Sequence, residues 1–277
     1  MSKGGMQMVG FYLLIWAVIL YVGACVGSFL NVVVYRVPRG LSLIKPGSHC
    51  PHCKTPLGPT ENVPILGWLW LRGRCRHCHA PISWRYPAVE ALTMGLFALS
   101  FAVLGLSWQA ASLALLWGWL VSLALIDLET FLLPEALTRS GLVVGIGVRI
   151  VLGWQADESA GVLASLTDGI LGMVVGIWSL ELVGLLARGI LKKEAMGLGD
   201  GKLLAMIGMW IGWQGSLLTL LLGSGLGAVA GLVGMRWRRV QWGRPIPFGP
   251  YLALGGGLAA LWGKPLLGLY LRLIGLD

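Results

Sequence analysis

Charge is scarce in this sequence. Of 277 residues only 12% are Asp, Glu, Lys or Arg, against 56% hydrophobic, and mean hydropathy is +0.78. A soluble domain of that length carries about twice the charge, so that class is excluded. Three runs have no charge at all: Val9 to Tyr35, the 36 residues from Ala91 to Ile126, and the 33 from Leu203 to Met235. As a single helix the second run would be roughly 54 Å long, too much for a hydrocarbon core of about 30 Å. It has to fold back once, at Gly105-Leu106-Ser107-Trp108-Gln109. No small-residue cleavage pattern follows the first run, which argues against a removable signal peptide and makes it a retained span.

The pattern predicts an all-α polytopic membrane protein. About eight transmembrane helices are expected, over 9–35, 88–106, 108–127, 136–154, 165–188, 201–213, 215–235 and 248–271. The sixth is short enough to be tilted or partly re-entrant. Three regions follow: a first span (1–35), a small cytoplasmic zinc-binding loop domain (36–86), and a membrane-embedded core of about seven spans (87–277). Seventeen of the 21 Lys and Arg fall in alternate loops, on the side of that first long loop. They include Arg36, Arg39, Arg72, Arg74, Arg76, Arg139, Arg188, Lys192, Lys193, Lys202, Arg236, Arg238, Arg239 and Arg244. That bias orients the long loop towards the cytosol. Because the basic residues are split among separate loops, the net charge of +9 is a topology signal, and no nucleic-acid partner is expected.

Cysteine is rare too, five in all, yet four stand in two C-x-x-C pairs. Cys50 and Cys53 lie in CPHC, Cys75 and Cys78 in CRHC, with 21 residues between the pairs. Such knuckles present four sulfurs to one tetrahedral zinc ion, which replaces a core too small to fold alone. Two disulfides are the other reading, disfavoured in a reducing cytosol. His49, His52, His77 and His79 flank the pairs and leave a three-cysteine, one-histidine variant open. Cys25, inside the first span, reads as a small packing residue.

Acidic groups number only twelve, and two sit where uncharged runs end. Asp127 closes the second run in LALIDLETFLLPE; Asp200 opens the third in MGLGDGKLL. Carboxylates at the edge of so much apolar chain are costly unless paired or functional. Brought together in a partly dry site, two aspartates share one proton and work as acid and base on one water. Glycines at 197, 199 and 201 allow close approach to Asp200. An interfacial helix cap is the alternative for either aspartate. Elsewhere, Glu181 and Arg188 suggest a structural ion pair, Asp168 a wet outer end, Glu90 an interfacial helix start, and Glu129 and Glu135 a solvated inner turn.

These motifs together resemble the type IV prepilin peptidase family. GSFLNVVVYRVP (Gly27 to Pro38) looks like the end of that family's first span, and the CPHC…CRHC…RYPAVEA segment like its cytoplasmic zinc loop. LIDLETFLLPE and MGLGDGKLLAMIG look like its two aspartate motifs, and PIPFGPYLALGG (Pro245 to Gly256) like its last-span motif. The resemblance implies a GxGD aspartyl protease with Asp127 and Asp200 as catalytic pair and Gly197 and Gly199 beside the substrate. It further implies a bacterial inner-membrane enzyme, with the aspartates on the cytosolic side, that cuts the leader from prepilins and pseudopilins after a glycine. The new terminus, commonly phenylalanine, is then N-methylated with S-adenosylmethionine. No glycine-rich strand-turn-helix signature for that methyl donor is present, so its site falls in the 36–90 loop or stays unplaced. Three other readings remain: a peptidase without methylation, a cation-coupled transporter, or an assembly factor docking through its zinc loop.

Overall fold

A computed structural model describes residues 3–191, 197–237, 246–273 and 275. The basic residues Lys192, Lys193, Arg238, Arg239 and Arg244, together with Met196 and Pro245 of the quoted motifs, lie outside the described residues.

Helices account for almost all regular structure: α1 (Lys3–Arg36), α2 (Leu66–Trp70), α3 (Arg85–Leu104), α4 (Trp108–Thr130), α5 (Glu135–Leu191), α6 (Leu198–Arg236) and α7 (Gly249–Leu273). Among the described residues there are no strands, only two isolated bridges. Among the described residues six helices are long and apolar enough to cross a membrane, all but the five-residue α2. The turn expected after Leu104 is present, with Gly105 at φ 67°.

Two of the six are broken inside. Helix α5 has non-helical backbone at Asp157 and Glu158, and α6 at Gly212. Both breaks are reversals. In a continuous helix Gly153 and Gly161 would be about 12 Å apart, yet a Cβ on Gly153 would lie 2.6 Å from the Gly161 carbonyl oxygen. In α6, a Cβ on Gly208 would collide with the Ser216 hydroxyl, again across eight residues. The α5 break lies between the expected spans 136–154 and 165–188, and the α6 break one residue inside the expected end of 201–213.

Contacts divide the chain into two compact units, residues 1–118 and 119–277. In the first, α1 packs on α3 through Gly23 and Gly27, a small-xxx-small pair that lets backbones touch. A Cβ on Gly27 would come 2.6 Å from the Cα of Glu90. Ile19, Phe97 and Ala114 form a core there with Trp16 and Phe101 beside it. Glu90, near the start of α3 as expected, is buried at 7% exposure, and its Oε2 accepts the Ile65 amide at 2.6 Å.

In the second unit the first limb of α6, Leu198 to Ile211, is the centre. Leu203 to Trp210 are all buried. Both limbs of α5 lean on it, Gly145 against Trp210 from one side and Gly176 against Leu204 from the other. Fourteen residues span about 21 Å, less than a bilayer core; enclosure by protein is what lets so short a limb stand. One expectation about acids is extended here and another corrected. Asp168 is not merely wet but pairs with Arg149 at 3.1 Å. Glu181 and Arg188 form no pair, and Arg188 Nε donates to the Gly184 carbonyl instead (3.4 Å). Seven residues is two helical turns, roughly 10 Å of rise, beyond ordinary side-chain reach.

Candidate functional site

Helix α4 stops abruptly. Phe131 adopts φ 54°, and its amide closes on the Asp127 carbonyl at 2.9 Å. The chain then turns through Leu133 and enters α5 at Glu135. That turn meets the start of α6: a Cβ on Gly199 would sit 3.1 Å from Cβ of Leu133. Outside the turn, Glu135 accepts from Lys202 at 2.9 Å and from Arg139 at 3.0 Å. Expected as a solvated residue, Glu135 is half-exposed and ties α5 to α6.

These contacts bring the two aspartates together across 73 positions of sequence. Asp127 is 5% exposed on the last turns of α4; Asp200 is half-buried in the first turn of α6. Their carboxylates lie close enough to interact by charge. Gly197, not Asp200, is the N-cap. Asp200 sits at the third helical position, its amide donating to the Gly197 carbonyl at 3.2 Å, and its carboxylate takes the Gly197 backbone as a partner. The expectation of Asp200 as the helix cap is thus corrected: Gly197 takes that position, and the Asp200 carboxylate reaches back to it while interacting by charge with Asp127.

A third element completes the arrangement. Gly249, the first residue of α7, donates its buried amide to Asp127 Oδ2 at 2.8 Å. The first amides of a helix have no intrahelical acceptor, and a carboxylate is their natural complement. Only glycine fits, because a Cβ there would lie 2.7 Å from Asp127 Oδ2. An apolar cavity of ≈ 230 Å³ begins at the neighbouring Phe248 and is lined by Gly227, Ala228, Ile246 and Tyr251 as well. Sequence reasoning noted the PIPFGPYLALGG motif but gave Gly249 no role. Its signal was the glycine at a helix start after two prolines.

The cysteine segment lies in the other unit and is built twice over. In each knuckle the first cysteine donates its amide five residues on, Cys50 to the Thr55 carbonyl (3.0 Å) and Cys75 to Ala80 (2.9 Å). The residue after each pair, Lys54 or His79, takes a positive φ of 60° or 56° and bonds back to that first cysteine's carbonyl. The four sulfurs gather within 4.8 Å of one another, with Cys50–Cys78 at 3.8 Å and Cys53–Cys75 at 3.9 Å. A tetrahedron with Zn–S bonds of about 2.3 Å has edges of about 3.8 Å, whereas a disulfide needs about 2.05 Å. All four are free thiols, and the group is able to hold a metal ion without a histidine. Thr55, through its hydroxyl 3.3 Å from Cys53 Sγ and its backbone, pulls the Cys53 thiol down to about 6, towards the thiolate that binds metals.

Comparison with known proteins agrees with this layout. Residues 21–104 match the family model "Bacterial Peptidase A24 N-terminal domain", and residues 113–232 match "Type IV leader peptidase family". Three relatives are each called "Prepilin leader peptidase/N-methyltransferase" and each are 41% identical. That of Stutzerimonas stutzeri aligns over 91% of this chain and 92% of its own. For Aeromonas hydrophila the shares are 89% and 90%, and for Pseudomonas aeruginosa 92% and 93%. No solved structure matches the chain.

Proposed function

Given that the chain belongs to the type IV leader peptidase family, we propose that Asp127 and Asp200 cut the leader from prepilins and pseudopilins, and that the protein N-methylates the new terminus with S-adenosylmethionine. What supports the peptidase half is that two carboxylates near the ends of α4 and α6, one buried and one half-buried, lie within range of each other's charge. Two such groups holding one proton have what peptide hydrolysis requires.

The ionised member takes a proton from water as the water oxygen attacks the scissile carbonyl carbon. The protonated member hydrogen-bonds the carbonyl oxygen and gives up its proton as that oxygen becomes a hydroxyl. The aspartate that took the water proton passes it to the leaving nitrogen as the C–N bond breaks, and a hydroxyl of the collapsing diol returns its proton to the other aspartate, so the pair again holds one. Gly197 and Gly199 offer no side chain above Asp200, so an extended peptide can lie along that turn. A substrate helix would pack laterally in the bilayer, its basic leader remaining on the cytosolic side that Arg139 and Lys202 mark. The protein then resides in the bacterial inner membrane, with zinc on Cys50, Cys53, Cys75 and Cys78 as a structural ion.

The test is purified protein in proteoliposomes with a prepilin. Asp127→Asn and Asp200→Asn should each lower leader removal by about 10³-fold or more, in the range of lost acid–base catalysis, with unchanged metal content. Cleavage persisting in both variants would refute the pair.

A further inference from the structure

Helix α1 carries a stripe of residues on one face: Tyr21, Cys25, Ser28, Phe29, Val32 and Arg36. With residues 43, 44, 46–48, 59 and 62–64 the stripe borders an open-sided cavity of ≈ 450 Å³. That volume lies in the range of small-molecule and cofactor sites, about 300–1,000 Å³. Every lining residue belongs to the first compact unit.

The walls are chemically divided. Tyr21 and Phe29 supply aromatic rings, and Cys25, Val32, Leu43 and Pro64 supply apolar surface. Ser28, Asn62 and Ser48 supply hydroxyl and amide groups. Arg36 supplies a charge and is only 9% exposed. Its guanidinium is held by two backbone carbonyls, Ser42 at 2.9 Å from Nη1 and Pro46 at 2.7 Å from Nη2. A guanidinium has five N–H donors; these bonds use one on each terminal nitrogen and fix the group for a further acceptor. A buried cation anchored by backbone, with no carboxylate among the lining residues themselves and Glu90 standing behind Ser28, suits an anionic group on a ligand.

We propose that this cavity binds the methyl donor, S-adenosylmethionine, an inference that rests on the methyltransferase half of the function above. The donor set fits the molecule part by part. Arg36 complements the amino-acid carboxylate, Ser28 and Asn62 match the ribose hydroxyls, and the rings of Tyr21 and Phe29 suit a flat base and a sulfonium cation. In the transfer, the deprotonated terminal amine attacks the methyl carbon and the carbon–sulfur bond breaks. Its electron pair stays on sulfur as a thioether, and the methylated amine sheds its extra proton to water. A lipid acyl chain would use the apolar walls and bring no acceptor to the N–H groups of Arg36 that Ser42 and Pro46 leave over.

The experiment is ultraviolet cross-linking of radiolabelled S-adenosylmethionine to the full-length protein in nanodiscs, with the adduct mapped by mass spectrometry, alongside equilibrium binding. Adducts are expected within residues 21–36 or 43–64. Cys25→Phe, which fills the cavity floor, and Asn62→Leu, which removes a polar wall, should each weaken binding about tenfold or more, with metal content and melting temperature retained. Adducts confined to residues 119–277, or unchanged affinity in both variants, would overturn the assignment, as would phospholipid in the cavity with no nucleoside binding. Binding is read without cleavage, so Asp200→Asn protein should cross-link like the wild type. A failure of the aspartate pair and a failure of this site therefore give different results.

Discussion

At the scale of single residues, the partner that stands out is a backbone amide. Gly249 reaches Asp127 from 122 positions away, and a methyl group at 249 would overlap the carboxylate it serves. Gly249→Ala keeps the N–H but displaces Asp127. Since misplacing a reacting group by about 1 Å can cost roughly 10²-fold, leader cleavage should fall by about 10- to 100-fold. Metal content should not change. A wild-type rate in this variant would mean Asp127 does not need that amide. The aspartates themselves were legible in sequence because charge is so rare around them. Gly249 was not, nor was the bond from Glu90 to the Ile65 amide: both are single long-range hydrogen bonds, and no periodicity announces a partner that distant in the chain. Glu181 and Arg188 failed for the opposite reason. Their proximity along the helix was read as contact, while two turns of rise separate them.

Secondary-structure elements tell a different story, because apolar runs fix helices well and leave their ends to special residues. The fold-back after Leu104 could be placed from length and a glycine. The break at Gly212 was approached only as a gap between expected spans 201–213 and 215–235. Its backbone, φ 82° and ψ 179°, lies in a region only glycine occupies readily, costing other residues roughly 1–3 kcal/mol. A Cβ there would also strike the Asp168 carboxylate, which Arg149 holds. Gly212→Ala should therefore destabilise the protein by at least that amount, read as a lowered melting temperature in detergent. Gly225→Ala is the contrast. In the second limb of α6 a Cβ at 225 meets nothing within 4 Å, so the substitution should be neutral or slightly stabilising. Equal effects at both positions would show that the reversal does not depend on the Gly212 conformation.

For the molecule as a whole, the contrast is between helices that membrane-length apolar runs can sustain and a polar segment that has little apolar interior. Between Arg39 and Arg85 the one α-helix is the five-residue α2, and the buried apolar side chains include the metal-competent Cys50 and Cys75 themselves. So small a core does not hold a fold by area alone, and in such modules metal binding supplies the folding free energy. The segment is also pinned at its margins by Arg36 to Ser42 and Pro46, by Glu90 to Ile65, and by Trp68 Nε1 to the Ile82 carbonyl at 3.1 Å. Removing the ion should therefore melt the knuckles without releasing the margins. Elemental analysis should find one zinc per chain, and Cys75→Ser should reduce it to under about a tenth. A strong chelator should open protease sites between residues 47 and 81 while far-ultraviolet helix signal stays nearly constant, because the apolar helices do not depend on zinc. Resistance of that segment to protease after complete zinc removal would mean the four sulfurs gather for packing rather than for a metal, and that hydrogen bonds at the margins suffice to order it.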